Sequence, residues 1–352
     1  MSPSKDLPRY DPAQSYRWNY EHAPQTLPTV DVPAVASSWT FCGRPVPSPL
    51  AIAAGPLLNG RWLLYYAALG FDILTYKTTR SMARECYPLP NLQPVAIERL
   101  AQAGLRVPAG QAMQGSWAVS FGMPSMGPDV WRADVEWTRR QLPKEKLLVV
   151  SVVATPEADW SLDQLADDFA RCARWAVDSG ADAVETNFSC PNVATQDGQL
   201  YQRPEMAAKV AQRVREVIGS TPYLVKLGFV HDEELAGQLL REVGPHVDAL
   251  SMTNCISATV TGRDDAPLFD GQQRGIGGEA IRTASIEQVR RFSRFAEQLD
   301  RPVRIIGGGG IFEAAHVRDY LEAGAEAVAL ATAAMLDPLV GCRIRREFIS
   351  NR

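Results

Sequence analysis

Apolar residues in this chain gather in short, nearly continuous runs, separated by longer stretches in which they recur every three or four positions. The runs cover 50–55, 73–78, 147–154, 183–189, 223–228, 249–254, 303–307 and 327–332. Helical periodicity occupies 162–179, 204–219, 232–243, 284–299 and 314–323 between them. Uninterrupted apolar runs predict strands buried on both faces, and their alternation with helices predicts a parallel sheet covered by helices. Eight such units predict an α/β fold, a (β/α)8 TIM barrel. The alternative, an open doubly wound sheet, lacks its G-x-G-x-x-G fingerprint after the first strand. Residues 79–146 are too many for one βα unit and predict an excursion around the barrel mouth. The first 47 residues, rich in aromatics and proline (Tyr10, Tyr16, Trp18, Tyr20, Trp39), hold no sustained period. The expected division is thus an irregular N-terminal extension at 1–47, a barrel at 48–340 and a tail at 341–352.

Composition narrows the class. Of 352 residues, 46% are hydrophobic and 22% charged, which supplies a large core. The net charge of −4 argues against a nucleic-acid binder with a broad basic field. Cys42, Cys86, Cys172, Cys190, Cys255 and Cys342 form no C-x-x-C pair, which argues against a zinc ribbon or an iron–sulfur site and suits reduced thiols. The N-terminus shows no apolar signal region, and no run of about 18 apolar residues predicts a membrane span. A cytoplasmic protein with no membrane partner is expected.

A barrel places its chemistry at the C-terminal ends of its strands. Those ends carry Ala53-Ala54-Gly55, Lys77-Thr78, Asn187-Phe188-Ser189-Cys190-Pro191-Asn192, Lys226, Thr253-Asn254, Gly307 to Gly310, and Ala331-Thr332. Lysine is scarce: six against thirty arginines. Yet Lys77 and Lys226 fall inside apolar strands, where an ammonium is costly unless it meets an anion. The glycines at 307–310, expected to open a helix from Ile311, and a second permissive loop at 275–278 offer backbone N–H groups to a phosphate. The amides flanking Cys190 suit a heterocycle with an amide-like edge, and the thiol there is a candidate proton acceptor. The four histidines (His22, His231, His246, His316) all lie away from strand ends, so they are read as surface or structural.

The segment from Asn187 to Asn192 resembles the signature of the dihydroorotate dehydrogenase family. Further stretches resemble that family in the same order: 53–55, 75–78, 120–124, 225–227, 253–254, 275–278 and 306–311. The resemblance implies an FMN-dependent barrel. Gly309, Gly310, Thr332 and Gly278 would hold the phosphate, and Ala54, Gly55 and Thr78 would line the flavin. Lys226 would sit at the pyrimidine edge of the ring, and Lys77 would touch flavin and substrate. Asn187, Asn192 and Asn254 would hold the substrate's amide edge, Asn187 also meeting the cofactor. Cys190 would take the C5 proton while hydride leaves C6 for flavin N5. A cysteine at 190, where the membrane-associated class has serine, resembles the soluble class. Val119 stands where the family has a substrate asparagine, which opens a second reading: the same chemistry on a uracil or dihydrouracil-type substrate. A tRNA dihydrouridine synthase-like protein lacks support in the charge. A non-catalytic flavin-binding subunit has no need of the two strand lysines. The acceptor stays open between fumarate, an NAD-linked electron-transfer partner subunit and oxygen, and a homodimer is the family expectation.

Overall fold

In the computed structural model, which describes residues 7–36, 38–189 and 196–350, the eight expected runs close into one parallel barrel. Barrel strands one to eight are Leu50–Ile52, Ile73–Thr79, Leu147–Val152, Ala183–Asn187, Tyr223–Lys226, Ala249–Met252, Arg304–Gly308 and Ala327–Leu330. Each pairs with its neighbour in sequence, and strand eight returns to strand one through Val328–Leu50. The helices between them follow their local signals. Ser161 caps Leu162–Asp178 in a capping box with Gln164. Pro204 opens Pro204–Ile218, and Gly219 stops it at φ +58°. Asp232 caps Glu233–Val243 by accepting from Leu235 N at 2.7 Å.

Inside the barrel floor, Ala51, Ile73, Leu147, Val149, Ala183, Leu224, Ala249, Ile306 and Ala327 form one apolar layer. Phe41 and Val46 seal it from below. They come from a hairpin, Trp39–Phe41 with Arg44–Val46. A short helix, Tyr16–Glu21, precedes it. The extension is therefore more ordered than its sequence suggests, because strands of three residues and a helix of six are too short to show a period.

An acidic residue stands one position before each even-numbered barrel strand and ties the floor together. Asp72 binds Lys146 Nζ at 2.6 Å, accepts from Ser48 Oγ at 2.5 Å and pairs with Arg345. Asp182 pairs with Arg139 and meets Arg44 at 3.2 Å; Asp248 meets Arg215 at 2.6 Å and pairs with Arg301. Glu326 accepts from Thr40 Oγ1 and Cys42 N, both at 3.0 Å, which fastens the hairpin. Arg345 lies on the last helix, Val340–Ser350, and so locks that helix to the starts of strands one and two.

A second sheet of five strands stands apart from the barrel, in the order Leu92–Pro94, Ser116–Val119, Arg274–Gly278, Ile256–Thr261, Arg106–Pro108. The excursion after strand two supplies three of these and the loop after strand six the other two. The segment 275–278, expected as a loop, is thus a strand. No helix among the described residues is long and apolar enough to cross a membrane.

Asp72 is 1% exposed and holds two cations. Asp72→Ala strands both of them, and a loss of about 3–5 kcal/mol is expected in urea denaturation.

Candidate active site

The C-terminal strand ends and one face of the second sheet enclose a cavity of about 1200 Å³, counting its open mouth. Ala54, Gly55, Lys77, Thr78, Asn187, Lys226, Asn254, Gly278, Gly309, Gly310 and Thr332 all line it. Cys190 and Asn192 lie outside the described residues. The cavity therefore gathers residues from seven different strand ends and from the second sheet.

Glycine is required at one corner of the cavity. Gly278 sits at φ +100°, and a Cβ there would lie 2.1 Å from Gly115 O. At Gly310, φ +68°, it would lie 2.8 Å from Gly278 O. The end of the strand Arg274–Gly278 and the turn after strand seven thus pack backbone to backbone, which no larger residue permits. The helix after strand seven starts at Ala314, where the helical period begins, and not at Ile311 directly after the glycines, both of which, Gly309 and Gly310, have positive φ. Tyr320 OH donates to Gly309 O at 2.7 Å and fixes the turn. At Gly55 the opposite holds: nothing lies within 4 Å of a Cβ, so backbone there faces open cavity.

The two lysines are held differently. Lys226 is 9% exposed and its ammonium has no hydrogen-bond or ion-pair partner among the described residues. A cation kept this dry without a partner is set for an anionic ligand. Lys77, 8% exposed, lies 5.1 Å from the Phe121 ring centroid and 5.9 Å from that of Tyr16. Thr78 Oγ1 is fixed by Ser151 Oγ at 3.0 Å.

The two amides meet at Ser189. Asn187 Oδ1 accepts from Ser189 N at 3.1 Å, and Asn254 Nδ2 donates to Ser189 O. Buried Gln288 donates to Thr253 Oγ1 at 3.2 Å and to Gly228 O at 2.8 Å, which holds the ends of strands five and six together. Elsewhere the thiols are quiet: burial pushes Cys86 up to about 11 and raises Cys42, Cys172 and Cys342.

Sequence reasoning did not assign Leu92, Trp117, Phe121 or Met123 to the lining, yet all four are there with Val119. The pairing Gly275–Val119 and Gly277–Trp117 turns the side chains of 117 and 119 to the cavity and Ala118 to the opposite core. The signal within reach was the stretch 120–124, whose neighbours in the ladder were not legible.

Removing the unpartnered cation is expected to separate stability from binding. Lys226→Met is expected to hold or raise the midpoint of chemical denaturation of the ligand-free protein while weakening an anionic ligand at least ~10-fold by titration.

Comparison with known proteins agrees with this geometry. The family model described as dihydroorotate dehydrogenase matches residues 37–351. A dihydroorotate dehydrogenase of Dictyostelium discoideum is 29% identical over 96% of this chain and 96% of its own length, a match wide enough to include most of the extension. The catalytic subunit of a dihydroorotate dehydrogenase B (NAD(+)) from Bacillus cytotoxicus is 27% identical over 88% of this chain and 89% of its own. In fold, DHODH of Eimeria tenella in complex with ferulenol superposes with a TM-score of 0.74 at 19% identity, over 95% of this chain and 89% of that one. The chain belongs to the dihydroorotate dehydrogenase family of CH–CH oxidoreductases, flavoproteins of pyrimidine metabolism built on a TIM barrel.

Proposed function

We propose that this protein oxidises a dihydropyrimidine, dihydroorotate in the first instance, with FMN as its resident cofactor. The observation that carries this reading is the unpartnered ammonium of Lys226, facing the same cavity as the glycine corner of 278 and 309–310. An anionic ligand with a phosphate at one end and an electron-poor ring near a buried cation fits both.

In this reading Gly278, Gly309, Gly310 and Thr332 hold the phosphate through short-side-chain backbone. Ala54, Gly55 and Thr78 leave room for a flat ring beside strands one and two. Bound FMN supplies the hydride acceptor. Lys226 stabilises negative charge on the ring's pyrimidine edge. Asn187, Asn192 and Asn254 orient the substrate's amide edge, and Lys77 bridges substrate and cofactor. Cys190 accepts the proton from the substrate's C5. The FMN-binding unit is residues 48–340, with the extension at 1–47 and the segment 341–352 outside it. The acceptor that reoxidises the protein is read as an NAD-linked partner subunit, by analogy with the relative named a catalytic subunit, or as fumarate or oxygen. A cytoplasmic homodimer belongs to the same reading.

Val119 supports a second substrate. It is half-buried in the cavity wall and offers only methyl groups to whatever lies beside it. An amide there would contribute about 0.5–1.5 kcal/mol, roughly 2- to 12-fold in affinity. A substrate with no polar group on that side, of the dihydrouracil type, loses nothing.

Anaerobic addition of dihydroorotate to the purified protein is expected to bleach the visible flavin bands. A yellow protein that does not bleach, but does so with dihydrouracil, selects the second substrate; a colourless one removes the cofactor assignment. Cys190→Ala is expected to keep the flavin and slow its reduction ~100-fold or more. Val119→Asn is expected to lower the KM for dihydroorotate several-fold, checked by steady-state kinetics.

A further inference from the structure

We propose that Tyr16 and Phe121 form an aromatic clamp that positions the Lys77 ammonium at the cavity, which makes the N-terminal extension a support of the site from outside the cavity. The proposal rests on the reading of Lys77 given above. Its ground is a chain of contacts from the extension to the lysine. Tyr16 is the first residue of the helix Tyr16–Glu21, and its ring stands edge-on to Phe121 at 6.0 Å between centroids. Tyr10 backs the same Phe121 ring at 6.0 Å and 88°. Both Phe121 and Tyr16 then lie within 6 Å of Lys77 Nζ, at 5.1 and 5.9 Å. A cation at that distance from an aromatic face is attracted by the ring quadrupole.

The extension is anchored well enough to hold this geometry. Asn59 Nδ2 donates to Tyr20 O at 2.9 Å, Trp62 Nε1 to Asn19 O at 3.0 Å, and Tyr65 OH to Pro8 O at 2.7 Å. All three donors sit at or within the helix Gly60–Ala68, which follows barrel strand one. Asn19 closes the turn before it, accepting from Asp11 N at 2.8 Å and donating to Asp11 O at 2.9 Å. The short helix is thereby pinned to the barrel on one side and delivers Tyr16 to Lys77 on the other.

Neutral rings suit the task better than a carboxylate would. An ion pair spends the lysine's charge on its partner, whereas a ring holds the cation and leaves its charge directed at a ligand. Burial raises the phenols of Tyr10 and Tyr16, and the Cys86 thiol beside them, so these groups stay uncharged. Beside the lysine lies a smaller cleft of about 200 Å³, counting its open mouth, lined by Tyr16, Tyr20 and Met126 among others. Lys77 and Thr78 line both cavities, and Tyr16 lines the smaller one. Loss of the Tyr16 ring opens the lysine to solvent from that side.

The test labels the FMN-loaded protein with an amine-acylating reagent and reads each of the six lysines by peptide mass spectrometry, with exposed Lys144 as the internal reference. Tyr16→Leu is expected to raise Lys77 labelling relative to Lys144 by about 3- to 30-fold, and to slow flavin reduction by dihydroorotate by the same order. Tyr16→Phe, which keeps the ring, is expected to restore both. Native-rate labelling of Lys77 in Tyr16→Leu overturns the clamp, and so does a Tyr16→Phe variant as impaired as Tyr16→Leu. Where Tyr16→Leu does not fold, Phe121→Leu is read the same way, and unchanged labelling there overturns the proposal. Should dihydroorotate fail to bleach even the native protein, the substrate reading fails while the labelling still decides the clamp.

Discussion

The mouth of this barrel is organised by the need to keep two ammonium groups on strands that water barely reaches. Lys77 and Lys226 are 8% and 9% exposed, and each sits at the upper end of a strand whose other residues are buried. A barrel makes this tenable because its strand ends converge, so that charges on separate strands share one cavity with the backbone of several loops. The surrounding structure then answers each lysine in its own way. Lys226 faces space kept open by glycine and alanine, while Lys77 is met by rings.

The two ends of the barrel treat charge in opposite ways. At the floor, Asp72, Asp182, Asp248 and Glu326 are each satisfied by cations or by hydrogen-bond donors, so the charge there is spent on holding the chain together. At the mouth the Lys226 ammonium has no hydrogen-bond or ion-pair partner among the described residues, and Lys77 is met by the rings of Phe121 and Tyr16. Stability is concentrated where ion pairs close on themselves, and binding capacity where a cation such as Lys226 is left open. The extension joins both ends: its hairpin fills the floor with Phe41 and Val46, and its helix brings Tyr16 to the mouth.

Much of this was legible in the sequence, for physical reasons that differ by element. The barrel strands show because burial on both faces leaves an unbroken apolar run, and 147–154 and 223–228 contain Leu147–Val152 and Tyr223–Lys226. The helix 204–219 shows in its opening proline and closing glycine. Lys77 and Lys226 stand out because charge inside such runs needs a reason. The five-stranded sheet did not show, since Ser116–Val119 and Arg274–Gly278 are more than 150 residues apart and each is short. The Tyr16–Lys77 contact is equally non-local. An aromatic-rich extension can be seen in a sequence, but where it docks depends on donors such as Asn59 and Tyr65 that carry no such mark.

The same ladder explains how one wall of the cavity can vary while the glycine corner stays fixed. Val119 pairs with Gly275, and three steps along, roughly 10 Å away, Ser116 pairs with Gly278. One pair of strands therefore sets both the cavity wall at position 119 and the glycine whose backbone meets Gly310. A change of register by one residue would turn Trp117 and Val119 away and send Ala118 into the cavity, destroying both ends together. A change of side chain at 119 touches neither the ladder bonds nor Gly278. Position 119 is thus free to be amide or methyl at little structural cost, and in the function proposed above the substrate can be selected there without disturbing the glycine corner.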